Sequence, residues 1–177
     1  MRNMIALTVT AAALAAFTTV YAQTAPAAPP NDAQIAQIVV TADSVDVDYG
    51  NLAVKKTKNA EVKAFAETMI RDHTAVNDKA LALVKKLHVT PEANGTSASL
   101  TKGADATRVR LSHLRGAAFD RAYIDNEVAY HKTVNGALES TLIPNAKNPE
   151  LKSLLETGLS LFREHQAHAE QVAKELK

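Results

Sequence analysis

Residues 59–88 read NAEVKAFAETMIRDHTAVNDKALALVKKLH, and this stretch decides the fold class. Its apolar side chains recur at steps of three and four, the spacing that places them on one face of an α-helix. The stripe consists of Val62, Ala66, Met69, His73, Val76, Ala80, Leu83 and Leu87. The helix is expected to run from about Asn59 to His88. The sequence therefore predicts a long amphipathic helix with a histidine in the middle of its apolar face.

Three further long stretches show the same periodicity. They predict helices over about 31–57, 117–143 and 149–177, with Asn31 or Asp32 as the first N-cap. Asn148 followed by Pro149 is a typical helix start, whereas Pro144 predicts a helix end. Residues 89–103 (VTPEANGTSASLTKG) predict a loop, and a shorter helix is expected over about 104–115.

The connections between these helices indicate their arrangement. Thr57-Lys58-Asn59 leaves room only for a tight turn, so the first two helices are predicted to be antiparallel neighbours. The connection between the second and third long helices is long and carries the short extra helix. We therefore predict an all-α, ferritin-like antiparallel four-helix bundle with one crossover. An elongated coiled coil is the alternative, but the stripes are wide and hairpin turns interrupt the helices.

The composition excludes several classes of function. The 20 basic and 19 acidic side chains nearly balance, so no basic surplus is available to neutralise nucleic-acid phosphates. The absence of cysteine excludes a disulfide framework, a thiolate metal site and a lipid-bearing N-terminal cysteine. Only 5% of the residues are aromatic, which favours a helical protein over a β-sandwich.

The first 22 residues, MRNMIALTVTAAALAAFTTVYA, are typical of a secretory signal peptide. Arg2 precedes a weakly apolar run that is short for a membrane-spanning helix, and small residues lead up to Ala22. Residues 23–30 (QTAPAAPP) predict a Pro/Ala-rich tether, and residues 31–177 form the predicted domain. We expect a periplasmic or otherwise exported protein with no integral membrane segment after cleavage.

Polar side chains interrupt the apolar stripe of every long helix near its middle. Asp46 lies in the first, His73 in the second, Glu127 and His131 in the third, and His165 with His168 in the fourth. Counted from its hairpin turn at a rise of about 1.5 Å per residue, each pair, Asp46 with His73 and His131 with His165, falls within about 6 Å along the helix axis. If the two hairpins pack with their middles aligned, all four side chains lie at one height. The sequence predicts that they meet inside the bundle.

Such a buried layer needs partners, because an unpaired buried carboxylate or imidazole costs several kcal/mol. One solution is a closed hydrogen-bond network in which Asp46 and Glu127 accept from the histidines. The other is a divalent transition metal held by His73, His131 and His165, with Asp46 or Glu127 completing the ligand set. Zinc, copper, iron and manganese all suit such nitrogen and oxygen ligands.

Other kinds of site find little support. No Glu-x-x-His motif occurs, which argues against a carboxylate-bridged di-iron oxidase, and there is no Gly-x-Ser-x-Gly elbow or phosphate-binding glycine loop. We assign no catalytic residues. His88 and His113 are expected at the surface. Asp72 and Asp120 either orient imidazoles or are solvated charges, and solvation is the default expectation.

Three motifs resemble a known family. Residues 65–77 (FAETMIRDHTAVN) are similar to the FAxxMxxDHxxxN segment of domain-of-unknown-function family 4142. Residues 119–123 (FDRAY) with His131, and residues 148–152 (NPELK) with His165, resemble two further segments of that family. The resemblance covers about residues 32–176 and implies an exported bacterial protein of ferritin-like fold. The family usually has glutamate at the position of Asp46, so the shorter carboxylate here leaves room for a bridging water.

The leading hypothesis is an exported bundle that binds a divalent transition metal for storage, buffering or envelope stress protection. The alternative is a metal-free structural or interaction module of the envelope, whose polar layer fixes helix register. A redox enzyme with an open coordination position is a third possibility. We expect a monomer or a dimer, and the sequence identifies no protein partner.

Overall fold

The protein is all-α in the computed structural model, which describes residues 28–176. The helices are α1 (Asp32–Lys56), α2 (Ala60–Lys86), α3 (Gly95–His113), α4 (Gly116–Ala137) and α5 (Pro149–Glu175). A π-helical turn (Leu138–Leu142) and a short turn of α-helix (Ile143–Asn145) extend α4. No strand occurs between residues 28 and 176. The expected signal peptide and most of the tether lie outside the described residues.

Asparagine caps begin three of the long helices at the places that the sequence predicts. The Asn31 side chain accepts from the backbone N–H of Gln34, whose side chain in turn accepts from the Asn31 N–H. Asn59 and Asn148 likewise accept from the first free N–H groups of α2 and α5. Because these N–H groups have no partner within the helix, the caps fix where each helix starts.

The four long helices form a ring in which each packs against antiparallel neighbours. The α1 helix contacts α2 and α4, and α5 contacts α2 and α4. At one end of the bundle Lys86 pairs with Glu150, and Asp32 accepts from the N–H groups of Lys147 and Asn148. At the other end Lys56 donates to the carbonyl of Ser112. The helices α2 and α4 thus run parallel, and the predicted single crossover is present.

The crossover contains more helix than the sequence predicts. The expected loop over residues 89–103 ends at Asn94, where a capping box with Ser97 starts α3. The Gly, Ser and Thr residues that suggested a loop lie within a helix that packs mainly on α1. Only Ser97 and Leu111 of this helix are buried. A helix with so few buried apolar side chains carries little periodic signal.

The end of α4 also differs from the expectation that it stops at Pro144. The backbone widens into a π-helical turn, in which the N–H of Ile143 donates to the carbonyl of Leu138, five residues earlier. Pro144 lies in the following helical turn, whose chain leaves the helix at Ala146. Proline lacks an N–H and crowds the preceding turn, so a locally widened helix accommodates it.

The core consists of two apolar clusters with a polar layer between them. The first cluster includes Tyr49, Phe65, Met69, Phe119 and Tyr123, and the second includes Ile35, Leu138, Leu155 and Phe162. On each long helix the predicted polar residues fall at the boundary between the two clusters. The helical part of the chain between residues 28 and 176 contains no segment long and apolar enough to cross a bilayer.

Candidate metal centre

The heptad spacing of the four helices positions the central side chains. On α1 the buried positions Val39, Ala42, Asp46 and Tyr49 alternate steps of four and three, which keeps one seam facing the bundle interior. His73, His131 and His165 occupy equivalent positions on α2, α4 and α5 and are 2%, 0% and 3% exposed. The three imidazoles therefore meet in a dry interior, as the sequence predicts.

His73 is oriented by a carboxylate that the sequence analysis missed. Its Nδ1 lies 2.8 Å from Oδ1 of Asp43, which is 1% exposed. Because the carboxylate accepts, Nδ1 carries the proton of the neutral ring and Nε2 presents its lone pair. Asp43 lies three residues before Asp46 on the same helix face, and that spacing is the signal that identifies it.

The other two imidazoles are held in the same manner. Nδ1 of His131 donates to the backbone carbonyl of Glu127 at 3.0 Å, which leaves Nε2 of the neutral ring unprotonated. Nε2 of His165 donates to Oδ2 of Asp72 at 3.1 Å, which leaves Nδ1 unprotonated. Such hydrogen bonds to one ring nitrogen set the tautomer and direct the other nitrogen, as they do in metal-binding histidines.

Nε2 of His73 and Nε2 of His131 converge near Asp46. Nε2 of His73 and Nε2 of His131 are 3.4 Å apart. Oδ2 of Asp46 lies 3.3 Å from the first and 3.8 Å from the second. One nitrogen from each of the three histidines lies within 4.8 Å of the others. Lone pairs that face each other at this distance repel unless a cation, either a proton or a metal ion, lies between them.

The electrostatics of the centre favour a cation at this point. Burial opposes protonation of His73, but the carboxylates of Asp46 and Asp43 outweigh burial and raise its pKa. Burial lowers the pKa of His131, and burial together with the charge of His73 lowers the pKa of His165 to about 4. One positive charge is thus favoured, and the neighbouring rings stay neutral and able to act as ligands.

An aromatic ring covers one side of the centre. Phe162 stacks on His73 with ring centroids 4.7 Å apart and planes inclined by 16°. The same ring lies edge-on to His131 at 6.4 Å. A ring that shields two imidazoles lowers the local dielectric constant, which strengthens every charge interaction at the centre.

The two other predicted ligands, Glu127 and His168, lie apart from the meeting point of the three imidazoles. Glu127 is fully buried, but its Oε2 lies 3.7 Å from Nδ1 of His131, the nitrogen that already donates to a carbonyl. His168 is exposed, and its ring packs against Phe65 at 5.1 Å rather than joining the three buried imidazoles. The buried stripe of α5 continues from His165 to Ala169 because a step of four, not three, keeps the heptad seam.

Two aspartates that were expected to be solvated charges are not free in solvent. Asp72 has hydrogen-bond partners, and Asp120 is buried. Asp72 accepts from His165 and also pairs with Arg71 through two hydrogen bonds. Partial burial raises its pKa, but the contacts with Arg71 and His165 outweigh burial and lower it. Asp120 is 6% exposed. His88 and His113 are exposed, as expected.

The chain matches the model of a known family. The model described as domain of unknown function, DUF4142, matches residues 18–172. No curated protein matches the chain at a significant level.

A solved structure shares the fold. The crystal structure of a candidate secreted protein of the DUF305 group from Streptomyces coelicolor superposes with a TM-score of 0.68. The match covers 81% of this chain and 92% of that chain at 12% identity. A likeness at this low identity concerns the helical fold alone.

Proposed function

This chain belongs to the DUF4142 family, and from that premise we propose that it is an exported helical bundle that binds one divalent transition metal through His73, His131, His165 and Asp46. Membership of the family does not specify an activity, so the chemistry of the buried layer is the basis of the proposal. The role would be metal storage, buffering or protection of the cell envelope from metal stress.

The observation that carries the proposal is the triangle formed by Nε2 of His73, Nε2 of His131 and Oδ2 of Asp46. Its edges measure 3.4, 3.3 and 3.8 Å. Ligand atoms about 2.0–2.1 Å from a tetrahedral zinc ion are about 3.3–3.4 Å apart. Three potential ligand atoms from three helices therefore have nearly the mutual spacing of metal ligands. One ring nitrogen of His165 lies within 4.8 Å of a ring nitrogen of His73 and of His131, which makes His165 the candidate fourth ligand.

The donor set restricts the metal. Three imidazole nitrogens and one carboxylate oxygen suit zinc, copper or iron, and the usual order of affinity favours copper and zinc. Four protein ligands form a closed shell of the type found in structural metal sites, whereas catalytic sites keep a position for water or substrate. The donor set thus supports binding without turnover.

Two features support export. The first 22 residues have the pattern of a signal peptide. The structurally similar protein from Streptomyces coelicolor is itself a candidate secreted protein.

The test compares three buried with three exposed histidines. The chain has six histidines, of which His88, His113 and His168 are exposed and provide a matched control. Tag-free wild type, the His73/His131/His165→Ala triple variant and the His88/His113/His168→Ala triple variant are dialysed against zinc or copper and assayed by mass spectrometry for metals. We expect about one ion per chain in the wild type and the exposed-site variant, and none in the buried-site variant. Equal, substoichiometric metal in all three would contradict the proposal.

A metal-free structural module remains the second candidate because one hydrogen-bonded state of the centre needs no metal. A doubly protonated His73 would donate to Asp43 through Nδ1 and approach Asp46 and His131 through Nε2. This candidate requires that a chelator leave the melting temperature of the protein, as purified from cells, unchanged.

A further inference from the structure

We propose that a second divalent cation binds beside the first, between the carboxylates of Asp46 and Glu127, with the hydroxyl of Tyr123 as a further oxygen ligand. This inference rests on the function proposed above, because Asp46 would contribute one oxygen to each ion. It assigns Glu127 a role that the first ligand set does not use.

Glu127 is the main reason to place an ion there. Its side chain is 0% exposed, and no donor pairs with Oε1 or Oε2 in good geometry among residues 28–176. Burial and the adjacent carboxylate of Asp46 raise the pKa of Glu127 well above its ordinary value. An isolated buried carboxylate is among the most costly groups in a protein interior, so it needs either a proton or a counter-ion.

Two further oxygens close to Glu127 also lack partners. Oδ1 of Asp46 and the hydroxyl of Tyr123 make no hydrogen bond within the described part of the chain. Tyr123 is fully buried and lies one helical turn before Glu127 on the same face of α4. One ligand atom each from Asp46, Glu127 and His131 lies within 4.8 Å of the others. Two buried carboxylates thus converge, and the side-chain donors close to them are the hydroxyl of Tyr123 and the amide of Asn126.

The surrounding protein provides no positive charge for Glu127. Within residues 28–176 no lysine or arginine forms an ion pair with Asp46 or Glu127, and the only ion-pair contacts of these two carboxylates are with His73 and His131. His131 donates its Nδ1 proton to the carbonyl of Glu127 and directs Nε2 toward the first ion. A bound cation would neutralise the remaining carboxylate.

The donor atoms indicate the class of cation. Carboxylate and hydroxyl oxygens favour a harder ion than the imidazole-rich site does, and manganese(II) is the transition metal that such ligands suit. Magnesium fits less well because it loses its water ligands reluctantly, and the residues of this site are fully buried. The two neighbouring sites would therefore differ in preference, with zinc or copper in one and manganese in the other.

The experiment loads the two sites in sequence. Metal-free protein receives one equivalent of zinc, and manganese(II) is then titrated while electron paramagnetic resonance measures the free aqueous ion. We expect the wild type to bind one manganese per chain and Glu127→Gln to bind it at least tenfold more weakly. The control Glu164→Gln changes an exposed glutamate and should bind like the wild type. Circular dichroism melts establish that both variants are folded.

The outcomes separate the two proposals. If zinc binds at one ion per chain but manganese binding is absent or independent of Glu127, Glu127 is protonated and the second site is wrong while the first stands. If zinc is not retained but manganese binding depends on Glu127, the second site is supported and the first is wrong. If neither metal binds, both proposals are wrong.

Discussion

At the scale of single residues, the partner of each imidazole decides what that imidazole does. His73 and His168 both lie on amphipathic helices, yet the first donates to a buried aspartate, whereas the second is exposed and covers the buried ring of Phe65. Asp43 and Asp72 each hold one nitrogen of a histidine ring and so leave the other nitrogen free. These acceptors are as important to the proposed centre as the histidines themselves.

The first prediction concerns Asp43. Replacing Asp43 by Asn removes the charge that orients His73 and favours a cation, so we expect zinc affinity to fall by about 10–100-fold. Competition with a chromophoric chelator measures the dissociation constant. Asp48→Asn, at an exposed position on the same helix, is the control. Unchanged affinity in Asp43→Asn would show that His73 does not depend on this carboxylate.

The second prediction follows from the low pKa of His165. The folded protein holds this pKa at about 4, whereas an unfolded histidine titrates near 6.5. Between these values the unfolded chain binds more protons, so lowering the pH destabilises the metal-free fold. The contribution is fully present above pH 6.5, and about 3 kcal/mol of it is lost on acidification to pH 4.

The measurement is urea unfolding of chelator-treated protein across that range of pH. The free energy of unfolding of the wild type, relative to that of His165→Leu, should fall by about 3 kcal/mol between pH 6.5 and 4. His168→Leu alters an exposed histidine and should follow the wild-type curve. If the free energy of unfolding of His165→Leu fell with pH as steeply as that of the wild type, His165 would not be the acid-sensitive group.

At the scale of helices, α1 packs closely on α2 about one turn from Asp46 and His73. A Cβ atom at Gly50 would lie 2.7 Å from Cγ1 of Ile70 and 3.0 Å from the carbonyl oxygen of Ala66. Glycine at this position therefore allows the two backbones to approach. Gly136 on α4 has no heavy atom within 4 Å of the corresponding point, among the described residues.

The third prediction compares these two glycines. Gly50→Ala should destabilise the fold by about 1–2 kcal/mol because the helices must separate. Gly136→Ala should instead stabilise it by about 0.5–1 kcal/mol, since alanine is the better helix former and the site is open. Thermal unfolding of the two metal-free variants tests this opposite sign. Equal effects would mean that α1 and α2 adjust freely.

At the scale of the whole molecule, the polar layer couples metal binding to the stability of the bundle. Its members come from four helices and two hairpins, and an ion that bridges them binds only the folded state. Ligands of that kind stabilise a protein by mass action, by about 2.7 kcal/mol when the free ligand is a hundredfold above its dissociation constant.

The fourth prediction is that zinc raises the melting temperature of the chelator-treated wild type by roughly 5–10 °C at such an excess. Scanning calorimetry with and without zinc measures the shift. The His73/His131/His165→Ala variant should show none, while the His88/His113/His168→Ala variant should match the wild type. An identical shift in both variants would mean that zinc acts at the surface.

The sequence alone determined the helical fold and the identity of the central histidines. Apolar side chains at steps of three and four residues, asparagine caps and a three-residue turn are local signals. The long helices and the first hairpin follow from them. Counting residues from the turns also placed Asp46 level with His73 and His131 level with His165, whereas the alignment of the two hairpins is a property of the tertiary structure. The ferritin-like relation stays a prediction, because the comparisons concern the helical fold and the family.

Only the tertiary structure decided which atoms meet. A helical stripe is wide enough that His165 and His168 both qualify from spacing, and only packing against the other helices buries one and exposes the other. The pairing of Asp43 with His73 and of Asp72 with His165 depends on side-chain rotamers and on neighbouring helices that lie far away in sequence. The unpaired oxygens of Glu127 depend on the same long-range packing, because burial and hydrogen bonding are properties of the assembled core.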